Sequence, residues 1–228
     1  MKILDKNIKL TKPKTILFDW DNTIVNSLDI IFASTVETFK QFNLEPLSRE
    51  EFMQSTHVSS KIFIKKYFPE EHRIKARELF LELYTKFSAE RGSLILLPDA
   101  KEVLELLHNK QVKMAVVSNK AKALLLKELE TTGLADYFLS VVGSGDLEED
   151  KPSPLPALKA LKDIGTEPSQ EVWFVGDSST DMSTAHNANC LPVFFGTDDY
   201  ESEHYEHRPK IHFLNHKALI KYFSSLDE

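Results

Sequence analysis

From Leu97 onward the chain alternates short β-rich runs with helical patterns, the order that a parallel α/β sheet produces. Short β-rich runs at 112–117, 137–142, 172–175, 191–195 and 211–214 predict strands, the first of them buried. Between them, apolar residues recur at helical spacing over 99–110 (Val103, Leu104, Leu106, Leu107), 121–132, 155–164, 179–188 and 216–223. Gly133, Gly165 and Asn189 follow three of these helices, where the chain needs a left-handed residue. An earlier apolar run, Thr15-Ile16-Leu17-Phe18, reads as one more strand. Residues 27–92 differ: helical patterns dominate, with Ile30, Ile31, Thr35, Phe39 and Phe42 on one stripe and Ile74, Leu79, Phe80, Leu83 and Phe87 on another. Pro46 and Pro69 break them. The expected organisation is a core of residues 1–26 plus 93–228, interrupted by a helical domain at 27–92. Two crossings, near 25–28 and 90–96, make a natural hinge.

At 228 residues the chain is long enough for a core domain and a smaller one, and 42% hydrophobic with 28% charged residues is ordinary for a globular protein. No apolar run reaches membrane-spanning length, and the charged N-terminus lacks the apolar block of a secretory signal. The lone Cys190 cannot form an internal disulfide, which suits a reducing cytoplasm. Its place after an apolar helix end predicts a buried small hydrophobe. A formal charge of −7 disfavours nucleic acid and anionic membrane as partners. A small anionic substrate stays compatible, because local charge outweighs the global balance within a Debye length.

Each predicted core strand ends in polar residues. The first runs into Asp19-Trp20-Asp21-Asn22-Thr23, the second into Ser118-Asn119, the third into Gly143-Ser144-Gly145-Asp146 and then Lys151-Pro152, and the fourth into Gly176-Asp177-Ser178-Ser179-Thr180-Asp181. Side chains two apart on an extended backbone project the same way, so Asp19 and Asp21 face one place. Like charges held that close call for a cation or a shared proton. One carboxylate could attack as nucleophile while the other moves a proton beside a bound metal ion. A strand running into an acidic turn explains the same residues. Ligand crevices of open parallel sheets lie at the carboxyl ends of the strands, so the four groups are expected to converge.

Together, and in this order, Asp19-x-Asp21-x-Thr23, Ser118-Asn119, Lys151-Pro152 and Gly176-Asp177-x-x-x-Asp181 resemble the four motifs of the haloacid dehalogenase-like hydrolases, over roughly residues 15–196. The stretch from Val116-Val117-Ser118-Asn119-Lys120 to Val175-Gly176-Asp177-Ser178 is most similar to the phosphoglycolate phosphatase branch. The resemblance implies a Rossmann-like α/β core with an inserted all-helical cap, and hydrolysis of a small phosphorylated metabolite, 2-phosphoglycolate foremost. Asp19 would attack phosphorus and form an aspartyl-phosphate; Asp21 would protonate the leaving oxygen and then activate water. Mg²⁺ would be held by Asp19, the Asp21 carbonyl and Asp177, with Asp181 as an outer ligand. Ser118, Lys151 and amide N–H groups near Asn22, Thr23 and Asn119 would bind phosphoryl oxygens.

Asp21 argues for phosphoryl over carbon–halogen chemistry, since dehalogenation needs no carboxylic acid two residues on. A β-phosphoglucomutase-like mutase, or a non-catalytic binding protein on the same fold, would keep much of this set. The family usually has Gly where Asn22, Asp99 and Asn189 stand. In the insertion, the helical pattern breaks at 56–61, where related caps carry a specificity loop. His57 and Lys61 are the candidates there for touching the leaving group, although Lys61, Lys65 and Lys66 also read as a solvated helix face. The acid- and histidine-rich 197–209 segment, with His204 and His207, reads as a solvated loop rather than a metal site.

Overall fold

The computed structural model describes residues 1–5, 12–55, 60–90, 95–197, 200–201 and 205–226. In chain order these form β1 (Lys2–Ile3), β2 (Thr15–Phe18), β3 (Val25–Asn26), α1 (Leu28–Gln41), α2 (Arg49–Ser55), α3 (Ser60–Tyr67), α4 (Arg73–Glu90) and β4 (Ile95–Leu96). There follow α5 (Ala100–Asn109), β5 (Lys113–Ala121), α6 (Lys122–Thr132), β6 (Ser140–Ser144), α7 (Leu155–Asp163), β7 (Val172–Gly176), α8 (Ser179–Asn187), β8 (Leu191–Phe195), β9 (Ile211–Phe213) and α9 (His216–Ser224). They fall into two compact units: Met1–Val25 with Leu96–Glu228, and Asn26–Ile95.

The first unit is built on a seven-stranded sheet of order β1-β9-β8-β7-β2-β5-β6. Apart from β1, which pairs antiparallel with β9, its strands run parallel. This is a Rossmann-like sheet, and its strand order reverses direction around β2. Every residue of β2 is buried, as a central strand covered on both faces requires. The pleat sends Leu17, Ala115, Val117 and Phe174 to one face, where they pack with Ala157, Ala160 and Leu161 of α7 and with Ala185 of α8. Trp173 points the other way, stacking on Tyr222 of α9 at 5.6 Å and meeting Phe223 at 5.7 Å. Cys190 is fully buried in the first of these clusters, and burial pushes its thiol up to about 12, which makes it inert packing.

The register decides where the polar groups go. Phe18 lies opposite Val116 on one side and Val175 on the other. Phe18, Val116 and Val175 therefore lie level, and the Asp19 N–H donates to the Val175 carbonyl at 2.9 Å. Residues 137–139 depart from the expected strand: Ala135–Tyr137 is a 3-10 turn, and pairing with β5 begins at Ser140. The short strands β1, β3 and β4 had no signal, since two residues carry no periodicity.

The second unit is helical; the two-residue strands β3 and β4, each divided by the unit boundary, pair with one another. Its core gathers Phe39 of α1 with Phe68 and Ala76, and the rings of Phe39 and Phe68 meet edge-to-face at 5.2 Å. Ser34, Thr35 and Thr38 return their hydroxyls to carbonyls four residues back, so this polar run is satisfied inside one helix.

Asn22, Asp99 and Asn189 all adopt left-handed backbone, at φ 57°, 60° and 56°. These are the three positions where Gly was the expected residue, and Asn and Asp tolerate the conformation best among the rest. Asn189 closes α8, with the Cys190 N–H bonded to the Ala185 carbonyl at 2.7 Å. Asn189→Ala is expected to cost about 1 kcal/mol, whereas Asn189→Gly should change stability by no more than about 0.5 kcal/mol. Urea denaturation of the three proteins checks the ordering.

Candidate active site

Asp19, Lys151, Asp177 and Asp181 come together beyond the ends of β2 and β7. Lys151 is the centre. Its buried ammonium donates to Asp19 Oδ1 at 2.6 Å and to Asp181 Oδ1 at 2.7 Å. Carboxylate oxygens of Asp19, Asp177 and Asp181 all lie within 4.8 Å of one another. The Asp19 carboxyl is raised to about 7, chiefly by burial, with Asp181 and Asp21 adding to the rise and Lys151 opposing it. Asp177 is likewise held well above the carboxylate range by burial, then by Asp181 and Asp19. Burial works against the Lys151 ammonium, but Asp181 and Asp19 outweigh it and leave it above the ordinary lysine range. Three carboxylates share one ammonium, so negative charge is left over.

The frame around Lys151 is specific. The Asn119 side chain clamps its peptide, accepting from the Lys151 N–H at 2.9 Å and donating to the Lys151 carbonyl at 3.0 Å. The Lys151–Pro152 bond is cis. Asp181 is fully buried and closes a reciprocal cap on α8: its Oδ2 accepts from the Ser178 hydroxyl at 2.6 Å and the Ser178 N–H at 3.1 Å. A Cβ on Gly176 would stand 2.4 Å from the Asp181 carboxyl carbon, so the carboxylate occupies space that only glycine leaves open.

Asp21 belongs to a neighbouring cluster. Its Oδ1 accepts from Lys120 Nζ at 2.7 Å, and Lys120 in turn reaches Glu128 at 2.8 and 2.9 Å. Glu128 also accepts from the Trp20 indole N–H at 2.6 Å. Burial raises the Glu128 carboxyl, with Lys120 opposing and Asp21 adding to it.

The sequence profile of the haloacid dehalogenase-like hydrolases matches residues 16–194. The chain belongs to the haloacid dehalogenase-like hydrolases. It is 32% identical over 177 residues to a phosphoglycolate phosphatase of Aquifex aeolicus, covering 77% of this chain and 81% of that one. It is 28% identical over 184 residues to the pyrophosphatase PpaX of Halalkalibacterium halodurans, covering 80% and 83%. Among solved structures, a hydrolase of the same superfamily from Ehrlichia chaffeensis superposes with a TM-score of 0.64 at 28% identity, over 96% of this chain and all of that one.

Within this haloacid dehalogenase-like core, several expected groups have local partners. The Asn22 N–H donates to the Val25 carbonyl at 2.7 Å and closes the loop after β2. Thr23 is fully buried beneath that loop. Ser118 is buried, and its Oγ accepts from the Lys120 N–H at 3.1 Å. Asp146 stays in its own turn, accepting from the Gly143 N–H at 3.0 Å and from Lys122 at 2.6 Å. Lys61 is exposed on α3, as are Lys65 and Lys66, and His57 lies outside the described residues. His204 does too, while His207 packs edge-on against His186 at 3.8 Å. Tyr205 is buried beside Phe194 and Met182, so part of the 197–209 segment is pinned to the core rather than solvated.

Lys120 and Glu128 escaped the sequence reading. A signal was present: Glu128 falls on the apolar stripe of α6 beside Leu125 and Leu129, and a buried carboxylate there demands a cation. Gly176→Ala should destabilise the protein by about 1–3 kcal/mol, because the new methyl displaces the Asp181 carboxylate. A fall in the urea midpoint at unchanged slope is the expected sign.

Proposed function

We propose that this hydrolase is a Mg²⁺-dependent phosphatase for a small phosphomonoester, with 2-phosphoglycolate the first candidate, acting through an aspartyl-phosphate on Asp19. The observation that carries the reading is the buried Asp19–Lys151–Asp181 bridge beside Asp177. It supplies a nucleophile, a fixed cation for phosphoryl oxygens and a set of hard oxygen donors in one place. The phosphoglycolate phosphatase relatives at about 30% identity support the substrate class.

The donor set fits a hard divalent cation, because oxygens of three carboxylates converge and one ammonium leaves two negative charges over. Asp19 and Asp177 would hold Mg²⁺ with the Asp21 carbonyl. Both Asp181 oxygens already accept hydrogen bonds, from Lys151 and Ser178, which suits an outer place. When bound, Mg²⁺ supplies positive charge against the phosphoryl oxygens. Asp19 attacks phosphorus as its carboxylate, and the bond to the ester oxygen breaks. Asp21 gives that oxygen a proton, then takes one from the water that cleaves the acyl phosphate. Lys151 holds charge on the transferring group, and Ser118 offers a hydroxyl beside it. A cytoplasmic setting belongs to the same proposal; among the described residues no helix is long and apolar enough to cross a membrane.

The pyrophosphatase relative favours a second reading, hydrolysis of a phosphoanhydride by the same groups. Phosphate release from 2-phosphoglycolate, hexose phosphates, nucleoside monophosphates, an aryl phosphate and pyrophosphate separates the two readings. Release should need Mg²⁺, stop with EDTA and fall on the order of a thousandfold or more in Asp19→Asn. Isomer conversion without net release would instead identify a mutase. Binding without turnover would identify a non-catalytic relative.

A further inference from the structure

The Lys120 cluster has a shape that burial alone does not require. Side-chain exposure is 5% at Lys120 and 7% at Glu128, against 21% at Asp21, so two charges are sealed inside and the third is presented. The three N–H bonds of Lys120 face three carboxylate oxygens, at 2.7, 2.8 and 2.9 Å. Glu128 then returns to Trp20, the residue between Asp19 and Asp21. Trp20 is itself fully buried and meets Phe138 edge-on at 6.4 Å. The contacts form a ring, Asp21 to Lys120 to Glu128 to Trp20 and back through one peptide bond. Swinging Asp21 away would break a link of that ring.

Stability is a poor explanation for it. A buried ion pair forfeits the hydration of both groups, and well-packed apolar residues of the same volume serve as well or better. What such a ring does provide is a fixed carboxylate, and proton transfer loses efficiency steeply with misplacement. We propose that Lys120, anchored by Glu128 and Trp20, is a positioning residue that holds the Asp21 carboxylate in place for proton transfer at the scissile ester oxygen. This rests on the phosphatase reading above, in which Asp21 serves the leaving oxygen. It assigns Lys120 no contact with substrate.

An experiment can isolate the role, because only poor leaving groups need a proton. The variant Lys120→Met/Glu128→Gln removes both charges, nearly preserves volume and leaves an amide oxygen for Trp20. Its kcat/KM, which reports only the steps through aspartyl-phosphate formation and not the later attack of water that Asp21 also serves, should fall about a hundredfold on the best alkyl phosphate of the panel. On 2,4-dinitrophenyl phosphate, whose leaving group departs unprotonated, the fall in kcat/KM should be less than about tenfold. Placed on Asp21→Asn, the same double change should cost no more than about a further twofold, because its effect runs through a group already disabled.

Equal losses on the two esters, or a full loss added on top of Asp21→Asn, would overturn the proposal and leave Lys120 a structural residue. Should the double variant fail to fold, Glu128→Gln alone loosens the anchor and should give the same split in smaller measure, judged the same way. The parent reading has separate controls. A wild type silent on every phosphoester, or an Asp21→Asn that slows both esters equally, removes the general acid itself and this proposal with it.

Discussion

The structure turns on one crowded place, where three carboxylates and one ammonium share a buried volume at the end of a parallel sheet. Burial drives carboxylates toward the neutral form, and mutual repulsion drives them further. Lys151 restrains that tendency and is itself kept charged by the same neighbours. The local frame follows from having to keep this ammonium in position. Asn119 grips the Lys151 peptide, Ser178 holds the far oxygen of Asp181, and Gly176 leaves the space that Asp181 fills.

The sheet makes the crowding possible at tolerable cost. The apolar stretches of β2, β5 and β7 lie side by side, with Phe18 level with Val116 and Val175, so polarity begins soon beyond one level of the sheet. Backbone groups along the strands are paired with their neighbours, and the charged residues sit just past the last rungs of the ladder. The strand order reverses at β2, which opens a crevice where no connection has to cross.

Two cation–carboxylate clusters lie side by side, and they differ in stoichiometry and setting. Around Lys151 the carboxylates are in excess by two, a charge that a divalent ion would meet. Around Lys120 the excess is one, the ammonium meets three carboxylate oxygens, and an indole closes the network. The first arrangement suits binding of charge; the second suits holding one side chain still. Asp19 and Asp21, two residues apart on one strand end, are thereby placed in different electrostatic company.

By itself the sequence determined the alternation of strands and helices, the interruption by a helical segment and the identity of the groups at the strand ends. Those are local matters: period-2 and period-3.6 patterns, and the turn residues that stop them. The family resemblance also marked Asn22, Asp99 and Asn189 as places usually held by glycine, and all three take the left-handed backbone that few other residues tolerate. Tertiary structure alone decided which groups pair. Asp19 with Lys151 spans 132 residues of chain and Trp20 with Glu128 spans 108, distances at which no spacing rule operates. The Asn119 clamp, the Ser118 hydroxyl turned to the Lys120 N–H and the pinning of Tyr205 are of the same kind. Lys120 looked like an ordinary residue after a motif until Glu128, on the inward stripe of α6, came to lie beside it. A charge is legible as functional only when its partner is known, and the partner is supplied by the fold.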